Sequence, residues 1–145
     1  MTVQRLEHIG IVVDDLAAAT AFFAALGLES EGGASVEGAP VDRINGLEGV
    51  RADVVILRTP DDSSKLELAK YHSPVYDGDD APAPPNSPGI RHILFVVDDI
   101  EASLAALRPH GGELVGELVN YENSYWLCYV RGPAGVIVEL AEKIG

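Results

Sequence analysis

The chain repeats itself. The stretch Leu6-Glu7-His8-Ile9-Gly10-Ile11-Val12-Val13-Asp14-Asp15-Leu16 returns 84 residues later as Ile90-Arg91-His92-Ile93-Leu94-Phe95-Val96-Val97-Asp98-Asp99-Ile100. The likeness continues at the same spacing, with Ala18 matching Ala102, Ala21 matching Ala105 and Gly27 matching Gly111. A second pair, Leu66-Glu67-Leu68-Ala69 and Val138-Glu139-Leu140-Ala141, recurs at a spacing of 72. Landmarks of the same kind in the same order mark a duplicated structural unit, in which one copy cannot bury its apolar face alone. The first half is the longer by 12 residues, and the surplus falls in residues 37–49, where Gly38, Pro40, Gly46 and Gly49 predict irregular backbone.

Each half reads as β-α-β-β-β. Residues 5–13 are rich in β-branched side chains and predict a strand. Asp14 or Asp15 can accept backbone N–H bonds at the start of an alanine-rich helix over 16–26, which Gly27 stops. Strands are predicted over 29–36, 52–58 and 64–71. The second half repeats this with a strand over 90–97, a helix over 100–110 and strands over 113–119, 124–131 and 136–141. The fold class is therefore α+β: two βαβββ modules whose strands form a curved mixed sheet, a cup-shaped half-barrel. Module one takes residues 1–72 and module two residues 90–145. The linker 73–89 holds Pro74, Pro82, Pro84, Pro85 and Pro88 and can continue neither a strand nor a helix. Half of a 145-residue chain could hardly bury a core of its own, so residues 1–145 are read as one domain.

Alternation along the strands singles out four polar side chains. Ile9, Ile11 and Val13 face the helix, which turns His8 to the other side, and Ile93, Phe95 and Val97 do the same for His92. Glu67 lies between Leu66 and Leu68, and Glu139 between Val138 and Leu140, so each carboxylate opposes its apolar neighbours. Packing alone does not demand that one imidazole and one carboxylate recur at matched places. Carboxylates brought close together repel, and a dication between them removes that penalty. Two neutral imidazoles and two carboxylates suit Zn, Ni, Co, Mn or Fe(II), with positions left open for water or substrate. The metal set read from the sequence is thus His8, Glu67, His92 and Glu139, holding one divalent ion. His72 and His110 have no partner at a repeated place and are left out, and helix capping accounts for the repeated Asp pairs.

These motifs resemble the vicinal oxygen chelate superfamily, which includes glyoxalase I, methylmalonyl-CoA epimerase, extradiol dioxygenases and bleomycin-resistance proteins. The resemblance rests on the run from His8 to Leu16, Lys65-Leu66-Glu67-Leu68, Arg91-His92-Ile93 and the run from Arg131 to Leu140, and covers nearly the whole chain. It implies paired βαβββ modules around a metal. A carboxylate at position 67 resembles the bacterial glyoxalase I pattern, where epimerases tend to carry Gln and extradiol dioxygenases need only two histidines and one carboxylate. The implied activity is that of a glyoxalase I-like lyase or isomerase. Its substrate would be a small α-hydroxycarbonyl compound or a thiol adduct of a 2-oxoaldehyde, passing through a metal-stabilised enediolate. Glu139 is the first choice of base and Glu67 the second. Two alternatives stay open: an Fe(II) extradiol-type dioxygenase, and a binding protein that sequesters an antibiotic or other small molecule.

The remaining expectations concern surroundings. Tyr121, Asn123, Tyr125, Trp126 and Tyr129 are candidate pocket walls, although ordinary sheet packing explains them as well. Arg43, Asn45 and Arg51 lie in the extra loop of the first half and could meet an anionic substrate or simply face solvent. Acidic residues outnumber basic ones 23 to 10, for a net charge of −13, which argues against nucleic acid and anionic membrane as partners. A small-molecule substrate and a second copy of the chain, in a homodimer, are the expected partners. The single cysteine, Cys128, reads as a buried strand residue that cannot form an intrachain disulfide. With no signal-like or membrane-spanning stretch, a cytoplasmic location is expected.

Overall fold

A computed structural model describes all 145 residues. The fold is mixed α+β, as expected, with two separate sheets and three short helices. The chain divides into two compact units, residues 1–79 and 80–145. No helix is long and apolar enough to cross a membrane.

The first unit runs β1 (Ile9–Val12), α1 (Leu16–Ala25), β2 (Glu29–Glu37), α2 (Ala39–Asn45), β3 (Arg51–Arg58) and β4 (Lys65–Ser73). Its sheet order is β1-β4-β3-β2, with β1 parallel to β4 and the other pairs antiparallel. Asp15 caps α1, its carboxylate accepting the Ala18 N–H at 2.9 Å. That bond satisfies one of the donors a helix start leaves free. Phe22 and Phe23 on α1 are buried and meet edge to face, with centroids 5.2 Å apart. The helix packs on β3 and β4, where Leu57, Leu66 and Leu68 are also buried. Gly33 is required by close approach, because a Cβ there would stand 2.7 Å from the Val54 carbonyl oxygen on β3.

Two expectations change in this unit. The first strand is shorter than residues 5–13, so His8 sits just ahead of β1 rather than within it. The extra stretch 37–49 is not irregular throughout: it holds the seven-residue helix α2. Pro40 suits the first turn of a helix, and Gly46, at φ 66°, closes it in the left-handed region. Asp42 then ties the returning chain, accepting from the Gly49 N–H at 2.9 Å and the Val50 N–H at 2.8 Å. Glycines at both ends hid a helix too short to show a period.

The second unit runs β5 (His92–Val96), α3 (Ile100–Leu107), β6 (Glu113–Leu114), β7 (Val119–Tyr121), β8 (Tyr125–Arg131) and β9 (Ile137–Lys143). The sheet order is β5-β9-β8-β6, with β7 also pairing β8 and β5 parallel to β9. Asp99 repeats the cap of Asp15, accepting from the Ala102 N–H at 2.9 Å. The helix expected over 100–110 tightens into a 3-10 turn at Arg108–His110, where Pro109 has no N–H to give. The strand expected over 113–119 breaks into β6 and β7. Their registers on β8 explain the break: residues 115–118 span only the two positions 128 and 129, so the surplus must loop out.

The duplication is carried down to single hydrogen bonds. The Val13 N–H donates to the Ala69 carbonyl at 2.8 Å, and the Val97 N–H to the Ala141 carbonyl at 2.8 Å.

Candidate metal centre

In the first unit, β1 and β4 are parallel with Ile9 opposite Leu66 and Gly10 opposite Glu67. Leu66 and Leu68 are buried, and Glu67 between them points to the other face. His8 arrives on that face from just ahead of β1. Its Nε2 lies 3.7 Å from Glu67 Oε2, and its Nδ1 is hydrogen-bonded to the Glu7 carboxylate. Lys65, two residues before Glu67, places Nζ 3.1 Å from Glu31 and 4.0 Å from Glu7. Glu7 is held below the usual carboxylate pKa chiefly by its hydrogen bond to His8, which outweighs the opposing desolvation, with the charges of His8, Lys65 and Arg5 adding to the lowering.

The second unit repeats the arrangement. Ile93 faces Val138 and Leu94 faces Glu139 across β5 and β9. His92 Nε2 lies 3.3 Å from Glu139 Oε1, and Glu139 is the less exposed carboxylate, at 17% against 34% for Glu67. Tyr129 lies opposite Glu139 on β8, its hydroxyl 3.4 Å from His92 Nδ1 and its ring tilted against the imidazole with centroids 5.2 Å apart.

The two separations can be set against those of donors that share a cation. Bond lengths of about 2.0–2.2 Å to nitrogen and oxygen put neighbouring donors roughly 3.0 Å apart at a right angle and roughly 3.4 Å apart at the tetrahedral angle. The separation in the second unit falls in that range, and the first exceeds it by a few tenths of an ångström. His8 meets Glu67 and His92 meets Glu139, and no set of three or more His, Cys, Asp or Glu side chains is gathered for a metal.

The other candidates divide by strand face. Tyr121, Tyr125 and Tyr129 lie on the Glu139 face, since Tyr121 opposes Tyr125 and Tyr129 opposes Glu139. Trp126 lies on the opposite face with Cys128 and Val130. That is the α3 side, where Glu142, its partner on β9, accepts the Ile100 N–H at 2.8 Å. Asn123 sits at positive φ in the turn between β7 and β8, its N–H bonded to Asn120 Oδ1, and serves the hairpin. Asn45 accepts the Tyr71 hydroxyl at 2.6 Å, a bond that ties α2 to β4; Arg43 and Arg51 are exposed. His72 pairs with Asp53 at 2.8 Å, and Ser35 donates to the same carboxylate at 2.6 Å. Those two hydrogen bonds, Ser35 first, hold Asp53 below its ordinary pKa. Cys128 is buried as expected, and burial pushes its thiol pKa up.

Glu7 escaped the sequence reading because the repeat breaks there: Arg91 stands at the matching place. Its signal was its position directly beside a candidate ligand.

Residues 7–142 match the glyoxalase/bleomycin resistance protein/dioxygenase superfamily. The chain belongs to that superfamily. A glyoxalase family protein from Bacillus cereus is 41% identical, with a TM-score of 0.95 over 100% of this chain and 97% of its own. YaeR, an uncharacterised protein of Escherichia coli (strain K12), is 25% identical over 97% of both chains. TnmS3, an antibiotic-binding protein from Streptomyces, shares the fold at 18% identity, with a TM-score of 0.60 over 99% of this chain and 98% of its own. The superfamily's description covers glyoxalases, dioxygenases and bleomycin resistance proteins alike.

Proposed function

We propose that this superfamily member is a metal-dependent lyase or isomerase of the glyoxalase I kind, in which His8, Glu67, His92 and Glu139 hold one divalent cation. The observation that carries the reading is the repeated pair: an imidazole Nε2 facing a carboxylate oxygen at 3.7 Å in one unit and 3.3 Å in the other. Whether the two pairs come from one chain or from two copies changes the connectivity and not the donor set. A cation so held supplies a Lewis acid for a carbonyl oxygen of the substrate.

The chain's own residues supply the rest. A carboxylate is the base that takes a proton from the carbon beside the carbonyl and returns it to the neighbouring carbon. Glu139, the less exposed of the two carboxylates, is assigned this role first and Glu67 second. Tyr129 stands on the same face, against His92, and forms a wall beside the base. The substrate class is a small molecule with adjacent oxygens, such as an α-hydroxycarbonyl compound or a 2-oxoaldehyde–thiol adduct.

Elemental analysis of the purified protein tests this directly, alongside His8→Ala and Glu139→Ala. The expected result is one divalent ion per site in the parent protein and its loss in both variants. A metal-free parent that binds small apolar molecules would overturn the reading in favour of sequestration. Oxygen uptake with a catechol would overturn it in favour of the Fe(II) dioxygenase.

A further inference from the structure

The two halves of the proposed site differ in how they hold their histidines. His92 has Tyr129 at 3.4 Å from Nδ1, a long contact through a neutral hydroxyl. His8 has a carboxylate on Nδ1, and the matching position in the second half is Arg91, which cannot accept a hydrogen bond. We propose that Glu7 is a positioning residue: its carboxylate accepts the Nδ1–H of His8, fixes that tautomer, and turns the bare Nε2 lone pair toward Glu67. This rests on the proposed metal site for its purpose and on the geometry at Glu7 for its existence.

The argument is one of proton inventory. An ionised carboxylate only accepts, so the imidazole nitrogen bonded to it must carry the hydrogen. A neutral imidazole has one N–H, which leaves Nε2 unprotonated and free to donate its pair to a cation. Nε2 is the nitrogen that faces Glu67, at 3.7 Å. The ring could otherwise spin or exchange tautomers, since residues 1–8 are exposed and belong to no strand. Lys65 steadies the carboxylate from the other side, with Nζ 4.0 Å from Glu7 Oε1. A carboxylate on the second nitrogen of an imidazole that would bind a cation raises the ring's basicity as well as orienting it.

Nitrogen-15 imidazole spectra of the metal-free protein, taken where the ring is neutral, read the tautomer without any activity assay. In the parent protein His8 is expected to be protonated at Nδ1 and bare at Nε2. In Glu7→Ala the proton is expected to move wholly or partly to Nε2, while the His92 signals stay in place. Metal affinity, measured by competition with a chromophoric chelator, should fall about 10–100-fold in Glu7→Ala and less in Glu7→Gln, whose amide oxygen still accepts. An unchanged His8 tautomer, or an affinity unchanged in Glu7→Ala, would overturn the role of Glu7. A parent protein that binds no cation would instead sink the proposed function, and the tautomer spectra would still decide whether Glu7 orients His8.

Discussion

Replacing Glu139 with Gln separates a metal ligand from a structural ion pair, because the two roles predict effects of different size under different conditions. Gln keeps the volume of the side chain, so the buried neighbours Val138 and Leu140 lose no packing. The variant removes only the charge facing His92. That pair is half-open to water, with side chains 42% and 17% exposed, which limits its worth in the metal-free protein to about 1 kcal/mol. A cation that binds only the folded chain adds about 2.7 kcal/mol when its concentration is 100 times Kd. At roughly 3 °C per kcal/mol for a chain of this size, the pair is worth about 3 °C and the cation about 8 °C. The ligand effect therefore exceeds the structural one nearly threefold and is easily resolved by calorimetry. With chelator present, parent and Glu139→Gln should melt within about 3 °C of each other. With cation added, the parent should rise by about 8 °C and the variant by less than half as much. A variant that gains as much as the parent refutes Glu139 as a ligand, and a metal-free variant that has already lost more than about 2 kcal/mol refutes the small worth assigned to the pair.

Two further outcomes follow from the core. Leu68, fully buried on the face of β4 toward α1, should cost about 3 kcal/mol on replacement with Ala, read as a lower urea midpoint at unchanged slope; a loss under about 1 kcal/mol would mean that the site collapses around the gap. Burial raises the Cys128 thiol pKa above its unfolded value, so its contribution to stability is whole below the unfolded value, about 8.5, and is lost as pH rises through the folded one. The urea midpoint should accordingly fall between pH 8 and pH 10, and by less in Cys128→Ala; equal falls in the two proteins would discount the thiol.

The repeat made most of the fold legible because each half sets its backbone the same tasks. A helix start needs an acceptor, so Asp15 and Asp99 recur. A strand packed under that helix needs alternate apolar residues, so the runs beginning at Ile9 and Ile93 recur. What the repeat does not share was harder to read. Helix α2 belongs to the first half alone and is fixed by Asp42 reaching seven and eight residues ahead, a contact that leaves no local period. The division of β6 from β7 depends on register against β8, a pairing distant in sequence. Trp126 resembles its tyrosine neighbours in type, whereas strict alternation puts it with Cys128 and Val130 on the α3 side.

The strongest support for treating the two His–Glu pairs as one functional device is that the backbone sets their spacing. In each half the histidine lies two residues before the residue that opposes the glutamate: His8 before Gly10, opposite Glu67, and His92 before Leu94, opposite Glu139. A parallel strand pair with this register brings the imidazole and the carboxylate diagonally together on one face, whatever their mutual attraction. The pair of His72 with Asp53 is shorter, at 2.8 Å, yet the spacing that links Glu67 to Glu139 puts Ile144 where a second His72 would stand. Closeness alone would therefore rank the wrong pair first. A surface ion pair is held by its charges and needs to occur only once. Two donors of one cation must be held against each other's preferences by the chain, and a pair supplies only half of the four donors that a tetrahedral site takes. Duplicated geometry answers both needs, and removing the carboxylate from either pair should leave the geometry of the other in place while abolishing the proposed cation binding.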